Sequence, residues 1–132
     1  MTKVFVNGTF DVLHRGHLCL LNYAKSLGEY LYVAIDSDER VKEKKGLSRP
    51  VNSLKERMFM LENLRSVDFV VSFSDDKSLE NLVKTIKPDV MVVGSDWKNK
   101  SVIGSYYASK LIFFDRIDGY STTKIVQSII DR

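Results

Sequence analysis

The sequence holds a single cysteine, two prolines and two histidines in 132 residues, and each scarcity removes a class of protein. Cys19 has no partner for an internal disulfide, and without companion cysteines at metal spacing it seeds no zinc site. Set among Leu18, Leu20 and Leu21, it reads as a small buried side chain. Two prolines and 44% apolar residues exclude collagen-like and disordered chains. Apolar runs such as residues 90–93 and 111–114 fall far short of the roughly 20 residues that cross a bilayer, so no membrane association is expected. Residues 1–8 show no charged segment followed by an apolar run and a cleavage site, which makes the cytoplasm the expected location. The net charge of +3 is mild, with acids interleaved among the bases, too weak an excess to imply a nucleic-acid partner. A small anionic ligand needs only a local cluster.

The length suits one domain over residues 1–132. Its hydrophobic period alternates between short runs rich in Val, Ile, Phe and Tyr and stretches with apolar residues three and four apart. Strands are predicted over residues 3–7, 30–35, 67–73, 89–93 and 111–114, nearly continuous in apolar character, as in a parallel sheet covered on both faces. Helices are predicted to begin near His17, Ser53, Lys77 and Ser121. The second opens on Ser53-Leu54-Lys55-Glu56, a capping box, with Leu54, Met58 and Leu61 as its apolar face. The third places Leu79, Leu82, Val83 and Ile86 on one stripe, and the fourth Ile125, Val126, Ile129 and Ile130; both stripes read as core. The pattern predicts an α/β fold, a single Rossmann-like domain with a five-stranded parallel sheet and helices on both faces. Residues 37–52 and 94–109 are left as candidate functional loops.

In an open parallel sheet, ligands bind where loops leave the carboxyl ends of the strands and helix N-termini present unpaired amides. After the first strand comes Gly8-Thr9-Phe10-Asp11-Val12-Leu13-His14-Arg15-Gly16-His17. Two imidazoles flank a glycine at the start of a helix, an arrangement that suits a phosphate chain. A metal site is the competing reading of the histidine pair, but no carboxylate at fixed spacing completes a zinc shell. Ser121-Thr122-Thr123 caps a helix and offers the same amides and hydroxyls to phosphate. The bases Lys42, Lys44 and Lys45 follow the second strand, on the ligand side.

The first stretch resembles the G-x-F-D-x-x-H-x-G-H signature of the cytidylyltransferase-like nucleotidylyltransferase superfamily. Gly119-Tyr120-Ser121-Thr122-Thr123-Lys124-Ile125 is similar to that family's I-S-T-T-K-I motif, with Tyr120 replacing the isoleucine. The resemblance spans essentially the whole chain. It implies attack by an acceptor phosphate oxygen on the α-phosphorus of a nucleoside triphosphate, with release of pyrophosphate and no covalent enzyme intermediate. His14, His17, Lys45 and Arg116 would serve as catalytic donors and cations. Thr9, Phe10, Gly16, Arg57, Gly94, Asp96, Trp97, Ser121, Thr122 and Thr123 would surround the nucleotide, and Asp11, Lys42 and Lys44 would contact the acceptor or phosphate. Mg²⁺ would be held through nucleotide phosphates, with no metal site made by the protein. Relatives in the superfamily are commonly dimers, so a homodimer is expected, with Phe59, Phe69 and Trp97 available to an interface. Arg40 and Arg65 are expected in surface ion pairs.

Two subfamilies compete. Glycerol-3-phosphate cytidylyltransferases are similar in length, in Gly94-Ser95-Asp96-Trp97-Lys98-Asn99-Lys100 and in Arg116. Heptose-1-phosphate adenylyltransferases resemble Lys45-Gly46-Leu47-Ser48-Arg49-Pro50-Val51-Asn52, Arg57-Met58 and Val67-Asp68-Phe69-Val70-Val71-Ser72-Phe73. The first set favours CTP and glycerol 3-phosphate, the second ATP and a sugar phosphate. Because base choice rests on a few hydrogen bonds in the base-side loop, the expectation tips to CTP with a small phosphorylated polyol or sugar. A non-catalytic nucleotide-binding module predicts decay at His14, His17 and Ser121 to Thr123, all of which are present. An RNA-binding fragment akin to class I aminoacyl-tRNA synthetases would need a lysine-rich K-M-S-K-S segment, which is missing.

Overall fold

The computed structural model describes residues 1–132. Five strands, β1 (Lys3–Gly8), β2 (Tyr30–Asp36), β3 (Phe69–Phe73), β4 (Val90–Gly94) and β5 (Lys110–Phe114), form one parallel sheet in the order β3-β2-β1-β4-β5. The chain builds outward from β1 to β3, then crosses back to place β4 on the other side of β1. The reversal leaves a crevice beyond the carboxyl ends of β1 and β4, at Gly8 and Gly94. Such switch points are where open α/β sheets bind ligands.

Alternation along the strands divides the core in two. Val4 and Val6, Leu31, Val33 and Ile35, and Val90 and Val92 point to one face, where Leu21 and Ala24 of α1 (Arg15–Ser26) and Leu61 pack on them. Phe5, Ala34 and Met91 point to the other, beneath Leu79 and Val83 of α4 (Asp76–Ile86). Burial on both faces explains why the strands read as unbroken apolar runs.

Two helices lie between β2 and β3. The predicted one, α3 (Leu54–Glu62), starts at Ser53, whose hydroxyl accepts from the Glu56 amide at 3.4 Å. Only the serine half of the expected box forms. The other, α2 (Asp38–Lys45), occupies a segment read as irregular. Its sequence, Asp-Glu-Arg-Val-Lys-Glu-Lys-Lys, has one apolar residue and so no stripe for periodicity to find. Ser37 caps it, acids fill its first turn and lysines its last, which are the end signals a helix dipole favours.

Other expectations change in detail. Val67 and Asp68 stand outside β3 because the Asp68 carboxylate turns inward to accept from the Leu31 amide at 2.7 Å and to pair with Lys25 at 2.6 Å. Helix α5 (Thr122–Ile130) half-buries Ile125 and Val126 but leaves Ile129 and Ile130 exposed, so half of its apolar stripe is not core. Cys19 is only half-buried. No helix is long and apolar enough to cross a membrane.

Candidate active site

The loop that leaves β1 is held by two buried charges. Phe10 and Val12 have positive φ values of 52° and 49°, a conformation non-glycine residues rarely adopt without external support. Arg57, 1% exposed, supplies part of it. Its guanidinium donates to the Thr9 carbonyl and the Asn52 carbonyl at 3.0 Å each and to Asp38 at 2.7 Å. Asp11, equally buried, accepts from the amides of Val51 and Asn52 at 2.6 and 2.9 Å. The segment after α2 is thereby laced to the loop after β1. The Phe10 ring turns back into the core against His17, with centroids 5.4 Å apart.

His14 takes the N-cap position of α1, where Ser, Thr, Asp or Asn is usual. Its Nδ1 accepts from the Gly16 amide at 3.0 Å, and the Nδ1 of His17 accepts from the His14 amide at 3.2 Å. Each ring therefore spends Nδ1 as an acceptor and carries its proton on Nε2, the remaining edge. The rings stack 3.8 Å apart. Burial, then the neighbouring His14, and then Lys45 and Arg116 depress the His17 pKa to about 4, with Asp11 opposing. Burial and Arg116 lower that of His14. Both rings are thus neutral Nε2–H donors at neutral pH. Gly16 has a specific reason: a Cβ there would lie 2.9 Å from the His14 ring and 3.2 Å from Cβ of Tyr120.

The far end of the chain closes over this pair. The Thr122 hydroxyl donates to the Asp11 carbonyl at 2.7 Å, Ser121 caps α5 by accepting from the Lys124 amide, and Tyr120 stacks on His14. A cavity of about 270 Å³ lies between the two helix N-termini. It is lined by His14, Gly16, His17 and Lys45, by Ser121, Thr122 and Thr123, and by Gly94, Asp96, Trp97 and Arg116. Asp96 and Trp97 are carried by a 3₁₀ turn directly after β4, and Asp96 faces Arg116 at 3.6 Å. Lys45 reaches in as the last residue of α2, its pKa lowered by burial and then by the adjacent Arg49. Two helix N-termini, two imidazoles and two cations around one cavity form an arrangement able to hold a phosphate chain.

A family model described as cytidylyltransferase-like matches residues 5–128. The chain belongs to the cytidylyltransferase-like family. It is 50% identical over 126 residues to the bifunctional protein HldE of Helicobacter hepaticus, which covers 96% of this chain and 26% of that protein. To the bifunctional protein HldE of Campylobacter fetus it is 48% identical over 128 residues, 97% of this chain and 28% of the other. The chain therefore spans about a quarter of the length of these relatives. Among solved structures, the lipopolysaccharide core biosynthesis protein of Thermoplasma volcanium superposes with a TM-score of 0.74 at 24% identity, covering 89% of this chain and 99% of that one. At that identity the likeness is one of fold.

Within this cytidylyltransferase-like domain, several expected contacts lie elsewhere. Arg57 is spent on the protein's own carbonyls and on Asp38, so it shapes the loop and does not reach the cavity. The Asp11 carboxylate is likewise committed to the Val51 and Asn52 amides. Thr9, Phe10 and Asp11 line a second cavity of about 200 Å³, which shares His17, Leu20, Lys45, Arg116 and Thr122 with the first. Lys44 lines a smaller recess beside Asn7 and Arg40, and Lys42 is exposed, outside all three cavities. Arg40 is no surface ion pair: it is 8% exposed, pairs with Asp36 at 3.4 Å and Asp76 at 2.7 Å, and lies over the Phe73 ring. No group of three His, Cys, Asp or Glu side chains is placed to hold a metal ion. The residue that sequence reading passed over is Arg49, 8% exposed and lining the second cavity. Its only signal was membership of the Lys45 to Asn52 stretch, where no periodicity marks it.

Proposed function

We propose that this chain is an ATP-dependent nucleotidylyltransferase that joins an adenylyl group to a heptose 1-phosphate, the activity we assign to the matched quarter of the bifunctional HldE relatives. The observation that carries nucleotidylyl transfer is the convergence of His14, His17, Lys45, Arg116 and Ser121 to Thr123 on one cavity. An acceptor phosphate oxygen forms a bond to the α-phosphorus, and the bond to the β-phosphate oxygen breaks with its electron pair leaving on pyrophosphate. Charge grows on the α-phosphoryl oxygens and the leaving group. Fixed donors that meet it are worth roughly 10²–10³-fold in rate each. Neutral Nε2–H groups suit this role because they stabilise the anion without surrendering a proton. Mg²⁺ would enter on the triphosphate, in keeping with its preference for phosphate oxygens over an all-protein cage.

The base-side loop by itself favours CTP. Against it stands identity near one half, over nearly the whole chain, to bifunctional proteins, together with the resemblance of residues 45–52 to heptose-1-phosphate adenylyltransferases. Identity spread over the whole domain supports ATP and a sugar phosphate more strongly than one short loop supports CTP. The test pairs ATP and CTP with D-glycero-β-D-manno-heptose 1-phosphate and with glycerol 3-phosphate, following pyrophosphate release. The ATP and heptose pair should be turned over at the highest kcat/KM; preference for CTP and glycerol 3-phosphate would reverse the assignment.

A further inference from the structure

The second cavity, about 200 Å³, sits beside His17 with the end of β1 as its floor, and Asn7, Gly8 and Thr9 line it together with Arg49. Arg49 is the least satisfied of the three buried arginines: Arg40 leaves only its Nε buried without a hydrogen bond and pairs with Asp36 and Asp76. Arg57 satisfies its guanidinium with three partners. Arg49 makes a single hydrogen bond, from Nη1 to the Thr123 hydroxyl at 3.3 Å, while its Nε and Nη2 are buried with no acceptor. The nearest carboxylate, Asp11, stands 3.8 Å from Nε and is already claimed by two backbone amides. A buried guanidinium with idle donors costs stability, because it has given up water without replacing its hydrogen bonds. Lys45 and Arg116 line the same cavity, so the cluster is also self-repelling. An anion placed among them would relieve both penalties.

We propose that Arg49 is the inner anchor of a phosphate-dianion subsite in this second cavity, adjoining the helix-N-terminus cradle of the main one. The planar fork of Arg49 matches two oxygens of a phosphate group, a geometry a lysine does not reproduce. Lys45 and Arg116, shared by both cavities, would bridge the bound group to the reacting centre. The phosphate comes from one of two sources, the acceptor or the tail of the triphosphate. Identification of the source rests on the proposed transferase reading; the existence of the subsite does not.

The experiment compares the wild-type chain with Arg49→Met and Arg49→Lys. Thermal unfolding is followed with and without inorganic phosphate, which tests the subsite independently of turnover. Phosphate should raise the wild-type midpoint, and the rise should shrink in Arg49→Met to what the helix-N-terminus cradle alone contributes, whichever way the unliganded midpoint moves on losing both the unbonded nitrogens and the 3.8 Å ion pair with Asp11. A phosphate response as large as that of the wild type in Arg49→Met, at any unliganded midpoint, would make Arg49 a purely structural residue and overturn the proposal. In steady-state assays the Arg49→Met and Arg49→Lys variants should raise one KM by about ten- to hundredfold, the loss expected for a charge-assisted bond. A rise in the acceptor KM alone places the acceptor phosphate there, and a rise in the ATP KM alone places the triphosphate tail. If both KM values stay at wild type, the subsite is not used. Absence of transferase activity in the wild type would defeat the reading of function while leaving the phosphate-shift result to judge the subsite.

Discussion

At the residue scale, the two histidines cap a helix with one ring edge and, under the proposed function, would meet phosphate with the other. Nδ1 holds the start of α1 and leaves Nε2 without a partner in the protein, so a substitution can separate the two. Asparagine places an oxygen near Nδ1 and has nothing at Nε2. His17→Asn should therefore keep the thermal midpoint close to wild type while kcat falls roughly 10²–10³-fold. His17→Ala should lose that rate and, in addition, about 1 kcal/mol of stability from the missing cap, measurable by urea denaturation. Equal stability of the two variants would remove the capping role. The depressed His17 pKa also sets a pH dependence. The folded ring titrates at about 4 and an unfolded one at 6.5, so between those values the unfolded state binds more protons. Stability should then decline as pH falls from 6.5 toward 4, by at most about 3 kcal/mol, and hold level above 6.5. His17→Asn should flatten that part of the profile.

At the element scale, helix termini carry the site and helix interiors carry the core. The stripes of α3 and α4 were legible because their apolar spacing is what packing against a sheet requires. Helix α2 escaped periodicity because it buries only Arg40 and Val41, yet its cap and charge gradient were written in Ser37, Asp38, Glu39 and the closing lysines. That helix delivers Lys45 to the cavity as the end of a rigid element. The start of α1 makes a sharper case. Alanine is favoured over glycine inside a helix by about 1 kcal/mol, so Gly16→Ala at an indifferent position would stabilise. Here the added Cβ would stand 2.9 Å from the His14 ring, and that ring must shift from its cap. Gly16→Ala should reduce kcat by tenfold or more with far-UV circular dichroism unchanged, and full activity would show that the ring tolerates displacement.

For the whole molecule, the decisive feature is that two ends of the chain meet over the switch point between β1 and β4. Thr122 bonds the carbonyl of Asp11 across 111 positions of sequence, and Arg57 ties α3 to the loop after β1 and to α2. Removing that hub should be felt globally. Arg57→Met leaves two carbonyls without a donor and the half-exposed Asp38 without its partner, and should cost about 2–4 kcal/mol of unfolding free energy. Activity per folded molecule should fall as well, because the loop of Phe10 and Val12, with their positive φ, loses the anchor Arg57 gives it at the Thr9 carbonyl. A loss of activity with unchanged stability would instead put Arg57 in direct contact with substrate.

Local chemistry written along the chain determined the alternation of strand and helix, the apolar faces, and the two motifs that belong to one cavity. Those depend on spacing and residue type, which a linear string contains. The tertiary structure decided which charged residues line the cavities and which are spent on the protein's own groups. Arg57, Asp11 and Arg40 look like ligand or surface residues in the string, and folding spends them on carbonyls, amides and carboxylates. Arg49 looks unremarked there, and folding leaves two of its nitrogens without partners. Whether a charge is satisfied depends on what the fold brings within about 3 Å of it, and residues tens of positions away in the chain supply those neighbours.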